Sequence, residues 1–427
     1  MRKKLYFCAI EVKIFAMSDN NTVRRIKKLR AALKKLGTDA LVVTKVANVT
    51  YLTGFLGDDS WALVTGTRTY LLTDSRYTEQ AKKECSSCTI IERKEGLAKI
   101  AGQILDKQKT VKVVGVEDCA SMAVFSALKK NIKGRIKKVS EVVEKLREIK
   151  DEGEVDVIKK AADIAQQALA ATMKYVRQGV SENELAGILN LNMRRLGGRE
   201  SFETIVAFGA NGSRPHHLSG SRKLKKNDTV LIDWGAKYKG YCSDLTRSFA
   251  VTGGKIATGG TACVAATEGG CQIARGRSGE MACRGGSRTA LLCGGWHGQK
   301  RSVAMLFEKV YNAVLEAQSA AIAKVKEGVS IAEVDSAARE VLKKYNLPIY
   351  GHGTGHGLGL EVHERPTVSA KAKETLRAGQ VITIEPGVYM PGAIGVRIED
   401  DVLVTKDGCK ILSECRQMEK GNSKKGG

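Results

Sequence analysis

An internal repeat is the sequence feature that most constrains the fold of this chain. The pattern Gly-Val-Ser-x-x-Glu occurs in QGVSENEL (178–185) and again in EGVSIAEV (327–334), each time between two stretches with helical periodicity. In each copy the serine and the glutamate fit a capping box, in which the two side chains bond reciprocally to backbone amides at a helix start. The pairs are Ser181 with Glu184 and Ser330 with Glu333.

The repeat continues beyond the helices into two candidate hairpins. VLIDWGA (230–236) parallels VITIEPG (381–387), and SDLTRSF (243–249) parallels VRIEDDV (396–402). Each half is therefore predicted to consist of a helix, a capped helix and a β-hairpin that brackets a glycine-containing turn. Because residues opposite each other on neighbouring strands share a face, each hairpin brings two carboxylates together. These carboxylates are Asp233, Asp244, Glu385 and Glu399.

Four carboxylates in one place predict a metal centre. Two halves packed face to face would bring all four to the pseudo-twofold axis, and buried anions without compensation cost several kcal/mol or more each. Divalent cations supply the missing charge. Carboxylate oxygens with an imidazole favour Mn²⁺, Co²⁺ or Zn²⁺, and two such ions activate water and polarise a carbonyl in hydrolytic enzymes, aminopeptidases among them. A histidine-rich stretch, HGTGHGLGLEVHE (352–364), lies between the pairs.

Composition excludes other classes of protein. The 427 residues suit two or three domains, and no run approaches the about 18 apolar residues of a membrane span. The net charge of +24 comes from scattered basic residues without a nucleic-acid motif, so it indicates solvated faces and tails. Eleven cysteines, an odd count, favour reduced thiols. Since charged residues interrupt the apolar start and no cleavage site follows, we expect no secretory signal and a cytoplasmic protein.

The chain is expected to divide into an amino-terminal α/β domain and a larger carboxyl-terminal domain. Residues 17–145 alternate helical and strand patterns, which is typical of an α/β domain. The first helix is expected to use Val23, Ile26, Leu29 and Leu33 as its apolar face and to end near Gly37. The predicted strands cover 40–43, 61–64, 69–73, 89–92 and 111–116. A single charged helix is expected over 140–161 and leads into the carboxyl-terminal domain (151–412). An unstructured extension (1–16) is expected before the two domains, and a basic tail (413–427) after them.

Residues 253–304 do not follow the repeat. Block 251–300 holds 13 of the 45 glycines and no proline. Its cysteines and His297 match no common zinc spacing. A surface insertion is expected, either as a loop or as a lid over the site, although the composition is also typical of out-of-frame or unspliced coding sequence. Deleting residues 257–304 is predicted to leave hydrolysis intact or to improve it.

These motifs resemble the proline-specific metallopeptidases. HGTGHGLGLEVHE matches the histidine signature of that family, which includes Xaa-Pro aminopeptidase and Xaa-Pro dipeptidase (prolidase), and the spacing of the acidic residues is similar too. NVTYLTGF and LLTDSRY resemble the family's amino-terminal domain. The resemblance covers about residues 20–250 and 306–412. It implies a mixed α/β (α+β) protein in which a pita-bread domain, built from two pseudo-symmetric repeats, follows a creatinase/prolidase-like domain.

The resemblance also implies a role for each site residue. Two divalent ions, Mn²⁺ first and Co²⁺ or Zn²⁺ as alternatives, would be shared by Asp244 and Glu399. Asp233 would complete one shell, and His356 with Glu385 the other. Glu385 would also be the general base. The substrate would be contacted by His216 and His363, which stabilise the developing charge, and by His352 in the proline pocket. Arg397 would orient Glu399 or the carboxyl end of the substrate. The alternative for Arg397 is an ion pair behind the ligands.

An Xaa-Pro bond needs a dedicated enzyme because its nitrogen carries no N–H and the ring fixes φ. The predicted partners are small proline-containing peptides and a second copy of the chain in a homodimer, with no nucleic acid and no membrane. A relative of the creatinase type is disfavoured, since such relatives lack the carboxylate set. Methionine aminopeptidase is disfavoured by the large amino-terminal domain. A catalytically inactive pita-bread domain that binds protein or nucleic acid is the remaining alternative, although such proteins usually lose metal ligands.

Overall fold

The computed structural model describes residues 19–252, 255–256 and 303–413. The predicted extension (1–16), the tail beyond residue 413 and most of the predicted insertion lie outside these residues. At the edges of the insertion, Lys255–Ile256 form a short strand and a helix begins at Val303. No helix within the described ranges is long and apolar enough to cross a membrane. The cysteines in these ranges are free thiols, and they are Cys85, Cys88, Cys119, Cys242 and Cys409.

The amino-terminal part of the described chain alternates helices and strands. Its elements are α1 (Asp19–Lys35), β1 (Ala40–Val43), α2 (Val46–Thr53), β2 (Trp61–Thr65), β3 (Thr69–Thr73), α3 (Thr78–Glu84), β4 (Thr89–Glu92), α4 (Leu97–Asp106), β5 (Val113–Glu117), α5 (Met122–Asn131), β6 (Arg135–Val139) and α6 (Val142–Arg147).

The six strands form one mixed sheet in the order β4-β3-β2-β1-β5-β6. Strand β1 lies at the centre, antiparallel to β2 and parallel to β5, and its four residues are all buried. Helices cover both faces of the sheet. The side chains of β1 therefore alternate between two separate apolar cores, one on each face. All five predicted strands are confirmed, and β6 is an additional one. In α1, Ile26, Leu29 and Leu33 are buried as expected, whereas Val23 is exposed.

The prediction of one helix over 140–161 is wrong. The chain forms α6 and then a separate α7 (Glu152–Thr172), with a break before Asp151. Asp151 has extended backbone and caps α7: its side chain accepts a bond from the Glu154 amide, while Glu154 bonds back to the Asp151 amide. The reason for the break is this capping box, which stabilises a new helix start at Asp151.

The carboxyl-terminal part is built from two similar halves. The first contains α7, α8 (Glu182–Arg195), β7 (Arg199–Glu200), β8 (Ile205–Phe208), β9 (Thr229–Trp234), β10 (Ala236–Tyr238), β11 (Tyr241–Cys242), β12 (Leu245–Thr252) and β13 (Lys255–Ile256). The second contains α9 (Val303–Lys324), α10 (Ile331–Lys344), β14 (Gly355–Gly357), β15 (Glu364–Val368), β16 (Val381–Ile384), β17 (Gly387–Met390), β18 (Ile394–Arg397), β19 (Asp400–Val404) and β20 (Cys409–Ile411).

The two halves repeat each other in the order and the pairing of their elements. Helix pairs α7–α8 and α9–α10 each precede antiparallel strands, and β9–β12 corresponds to β16–β19. Isolated bridges join Ser181 to Lys223 and Ser330 to Thr375 at matching places. Ser181 and Glu184 form the predicted capping box. The second predicted capping box is wrong: Ser330 starts α10, but its side chain makes no capping bond. The repeat is therefore one of topology more than of side-chain detail.

The halves meet edge to edge at the end of their hairpins. Thr246 of β12 pairs with Glu399, and the Glu399 amide donates to the Thr246 carbonyl at 3.1 Å. Each half has its own apolar core, formed mainly between its helices and its sheet. This contact brings the two hairpins together at the middle of the molecule.

Candidate metal centre

The four predicted carboxylates lie at the inner ends of two long strand pairs, β9–β12 and β16–β19. Beyond each of these ends the chain continues into a shorter inner pair of strands. Asp233 is in β9 beside Trp234, and Asp244 comes directly before β12. Glu385 follows β16, and Glu399 precedes β19, so these two are opposite each other next to the Ile384–Asp400 pair. The inner pairs β10–β11 and β17–β18 form the turns. Three of the four therefore lie at strand ends, where the backbone can turn a carboxylate towards the neighbouring half.

His356, the predicted fifth ligand, is placed among these carboxylates by β14. Its Nε2 atom lies 3.5 Å from Glu385 Oε1 and 3.6 Å from Asp244 Oδ2. Ligand-type atoms of Asp244, His356 and Glu399 all lie within 4.8 Å of one another. His356 Nδ1 is 3.1 Å from its neighbour, the carbonyl of Gly357. A proton on Nδ1 satisfies that carbonyl and leaves Nε2 with a free lone pair on the carboxylate side.

Burial and mutual repulsion make the carboxylate charges costly in the protein alone. Burial, followed by the charges of Glu399, Asp233 and Glu385, raises the pKa of Asp244 well above its ordinary value. Burial, followed by Glu385 and Asp233, does the same to the pKa of Glu399. Burial raises the pKa of Glu385 to about 7. Burial also lowers the pKa of His356 to about 4, so the imidazole is neutral, as a ligand must be.

The residues present fit bound divalent cations. Asp233 Oδ1 is buried and has no hydrogen-bond partner, although buried polar atoms are normally satisfied. Buried carboxylates and a neutral imidazole with a free lone pair form a donor set of oxygen and nitrogen, which suits Mn²⁺, Co²⁺ or Zn²⁺. Ions at this place would satisfy the free Asp233 oxygen and neutralise the cluster. Such ions would be held by Asp233, Asp244, His356, Glu385 and Glu399.

Arg397 is a direct partner of this cluster. Its guanidinium lies 2.5 Å from Asp233 Oδ2, and its Nε donates to Thr246 Oγ1 at 3.0 Å. Thr246 Oγ1 in turn donates to Glu399 Oε2 at 2.7 Å. Arg397 therefore binds Asp233 directly and is connected to Glu399 through Thr246. This geometry resembles the ion-pair alternative. Thr246 was not found from the sequence, since a threonine in a strand carries no special signal.

His352 lies at the end of a hydrogen-bonded row that starts at Arg397. Arg397 donates to the Tyr389 hydroxyl at 2.8 Å, and this hydroxyl is 3.0 Å from His352 Nε2. His352 Nδ1 lies 2.7 Å from the Gly353 carbonyl, so the Nδ1 proton points there and Nε2 accepts from Tyr389. The ring stacks on Tyr350 with centroids 4.8 Å apart. Burial lowers the pKa of His352 to about 4, which keeps this imidazole neutral.

All nine predicted site residues line one cavity of about 660 Å³. His363 contacts His356 edge to face, with ring centroids 4.3 Å apart. His216 is exposed to the cavity, in a loop with Pro215 and Leu218. Apolar residues complete the wall, and they are Phe202, Ile205 and Val362. A cavity lined by both carboxylates and imidazoles can hold a polar main chain against a Lewis-acidic centre.

The loop with His216 is held by a carboxylate that the sequence did not reveal. Glu182 is fully buried at the start of α8 and accepts four bonds. Its Oε1 accepts from the Phe208 amide and Asn211, and its Oε2 accepts from the Gly220 amide and contacts His217 Nε2 at 2.9 Å. Burial raises the pKa of Glu182, but these bonds, from His217 first, bring it below its ordinary value. His217 is therefore structural, although His216 lines the cavity.

Without metal, protonation of Glu385 should contribute to stability near neutral pH, together with that of Asp244 and Glu399. Its folded pKa of about 7 exceeds the ordinary 4.5, so the folded protein binds more protons than the unfolded chain between these values and loses stability as the pH rises. His352 and His356 act in the opposite direction below about pH 6.5. The difference in unfolding free energy between Glu385→Gln and the parent reports the charge of Glu385 together with its repulsion of Asp244 and Glu399. In chelator it should grow by on the order of 3 kcal/mol from about pH 4.5 to about pH 8. Urea unfolding measures it, and a flat difference would contradict the assignment.

Comparison with known protein families identifies both parts of the chain. Residues 156–279 and 287–406 match metallopeptidase family M24. Residues 25–149 match the creatinase/prolidase N-terminal domain. The six-stranded sheet belongs to the second match and the metal centre to the first.

Related proteins are similar over most of the length of this chain. An Xaa-Pro dipeptidase from Pyrococcus horikoshii is 32% identical over 91% of this chain and 97% of its own length. The structure of an Xaa-Pro dipeptidase from Bacillus anthracis is similar with a TM-score of 0.78, at 30% identity over 93% of this chain and 99% of that one. For an X-Pro aminopeptidase from Thermotoga maritima the TM-score is 0.73, at 30% identity over 90% and 98% of the chains. The expected mixed α/β fold with a pita-bread domain is confirmed. The chain belongs to metallopeptidase family M24 and joins its catalytic domain to a creatinase-type amino-terminal domain.

Proposed function

We propose that this metallopeptidase hydrolyses Xaa-Pro bonds in short peptides, with two divalent ions, Mn²⁺ first. One observation carries the proposal: four carboxylates and His356 converge on a cavity that His216, His352 and His363 also line. The relatives called Xaa-Pro dipeptidase and X-Pro aminopeptidase support the substrate class. All five ligand-type residues are present and brought together, which argues against an inactive binding domain. A homodimer stays our expectation for the assembly.

The proposed roles follow from the positions of the side chains. When bound, the ions polarise the scissile carbonyl and lower the pKa of water. Glu385, in contact with His356, would take the proton of the attacking water. His216 and His363 would donate to the charge that develops on the carbonyl oxygen. His352 is held in one tautomer by Tyr389 and Gly353, so its ring presents a fixed flat wall for a pyrrolidine. Arg397 would keep Asp233 oriented.

Matched peptides test the substrate class. The metal-supplemented protein should cleave Ala-Pro and Ala-Pro-Ala, and the ratio of these two rates distinguishes dipeptidase from aminopeptidase activity. Ala-Ala and Ala-Ala-Ala should be cleaved at least about 10-fold more slowly than the corresponding proline peptides. Chelator should abolish turnover and added Mn²⁺ should restore it. Release of amino acids, quantified by chromatography, is the measurement. Equal rates on the proline and alanine series would refute the Xaa-Pro proposal and leave the metallopeptidase class untouched.

A further inference from the structure

Two carboxylates flank His363 in sequence, and both are held by the amino-terminal part of the chain. Glu361 and Glu364 lie two positions before and one position after His363. Three basic residues that precede α7 contact them. We name these five residues the junction cluster: Lys45, Arg147, Lys150, Glu361 and Glu364.

Glu364 is the buried centre of the junction cluster. Its side chain is 5% exposed, and the side chains of Arg147 and Lys150 are 3% and 1% exposed. Arg147 donates to Glu364 Oε1, and Lys150 Nζ lies 3.2 Å from Oε2. Burial alone would raise the pKa of Glu364, yet Lys150 and Arg147 bring it down to about 2. The carboxylate is therefore ionised, and removing either side leaves a buried charge without its partner.

Glu361 extends the cluster towards the amino-terminal sheet. Its Oε2 atom lies 2.8 Å from Lys45 Nζ and 2.8 Å from the Arg147 guanidinium. Arg147 also donates to Asn48 Oδ1 at 2.7 Å. Asn48 in turn donates to Glu117, at the end of β5, at 2.6 Å. A continuous row of bonds thus connects the amino-terminal sheet with the loop around His363.

The loop itself is packed on the Glu364 carboxylate. The Glu361 amide donates to Glu364 Oε1 at 3.1 Å, which closes the segment that contains His363. Gly359 approaches the same carboxylate so closely that a Cβ there would lie 2.8 Å from Oε1. The segment that carries His363 is therefore tied to one buried carboxylate, and the centroid of the His363 ring lies 4.3 Å from that of His356.

We propose that the junction cluster is a positioning device by which the amino-terminal domain holds His363 in its reactive place. Glu364, Glu361 and Arg147 are positioning residues, and they act through the backbone of residues 358–363. This inference rests on the proposed function, because His363 is taken to contact the substrate. It predicts that the amino-terminal domain is required for turnover even with a full complement of metal.

Replacement of Glu364 tests the device directly. Glu364→Gln keeps the size of the side chain and removes its charge. We expect kcat to fall about 100-fold, since displacement of a catalytic group by about 1 Å costs that much, with KM and bound metal unchanged. Glu361→Gln should lower kcat less, by about 10-fold, because that carboxylate is partly exposed. Glu141→Gln is the matched control: it loses one carboxylate that contacts Arg365 across the same junction, and kcat should stay at the parental value.

A readout independent of activity completes the test. Hydrogen–deuterium exchange of residues 358–363 should be faster in Glu364→Gln and Glu361→Gln than in the parent and in Glu141→Gln. The exchange result decides the inference even if the parent cleaves no Xaa-Pro peptide, an outcome that would refute only the proposed function. If Glu364→Gln does not fold, Glu361→Gln carries the comparison. Unchanged exchange in the loop, or kcat within twofold of an active parent, would overturn the proposal.

Discussion

Replacing Glu399 by glutamine is expected to lower kcat/KM by more than about 100-fold. Loss of a residue that merely orients a metal ligand costs about 10- to 100-fold, and Glu399 is proposed to be a ligand of both ions. It also lies where the halves meet, with Thr246 donating to its Oε2. Glutamine preserves the shape but not the charge. The bound metal, measured by elemental analysis, should therefore fall from two ions per chain to one or none.

The same substitution should stabilise the protein in the absence of metal. Burial, followed by the charges of Glu385 and Asp233, raises the pKa of Glu399, so its charge opposes folding when no cation is bound. In chelator the melting temperature of Glu399→Gln should exceed that of the parent, and with Mn²⁺ the order should reverse. The exposed Glu340 of α10 offers a control, because Glu340→Gln should change neither activity nor the metal response. Parental turnover with two bound ions in Glu399→Gln would exclude our assignment.

Neighbouring histidines should give opposite results on substitution. His216→Ala is expected to lower kcat about 10²- to 10³-fold, as removal of a donor to a developing oxyanion does, with stability unchanged because the side chain is exposed. His217→Ala leaves the fully buried Glu182 with one partner fewer, and should lower the free energy of unfolding by about 1–3 kcal/mol. Urea unfolding and steady-state kinetics separate the two effects.

Each histidine serves as the control for the other, since the two substitutions remove the same side chain one residue apart. Bound metal should be the same in both variants, because neither histidine is assigned to the ions. If His216→Ala unfolded more easily while His217→Ala lost more turnover, the two roles would have to be exchanged.

The convergence of the four carboxylates was predictable because its signal is local. Each pair brackets one glycine-containing turn, and the need of buried anions for cations does not depend on how the halves pack. The topology followed from the repeat, since the same order of helices and hairpin occurs twice. The break at Asp151 was also predictable: Asp151-x-x-Glu154 is a capping signal of the kind that was recognised at Ser181.

The residues around the ligands were not predictable, because their roles depend on contacts between distant segments. Thr246 meets Glu399 across 153 positions, and Arg147 meets Glu364 across 217. Nothing in the sequence distinguishes Tyr389 from the other tyrosines, and only the fold places it between Arg397 and His352. At Ser330 the sequence pattern was present, yet the serine side chain does not cap the helix. Local patterns thus predict which groups the site contains, and tertiary packing decides what orients them.

The contact between Thr246 and Glu399 has a consequence for the order of folding. No short segment contains all of the proposed metal ligands, because each half contributes two carboxylates and the halves meet across 153 positions. Contacts between such distant positions are costly in loop entropy and form late. An ion bound by these residues would therefore find its full coordination only after both halves have folded and docked. Metal should slow unfolding more than it speeds folding, and its binding marks completion of the native state rather than its nucleation.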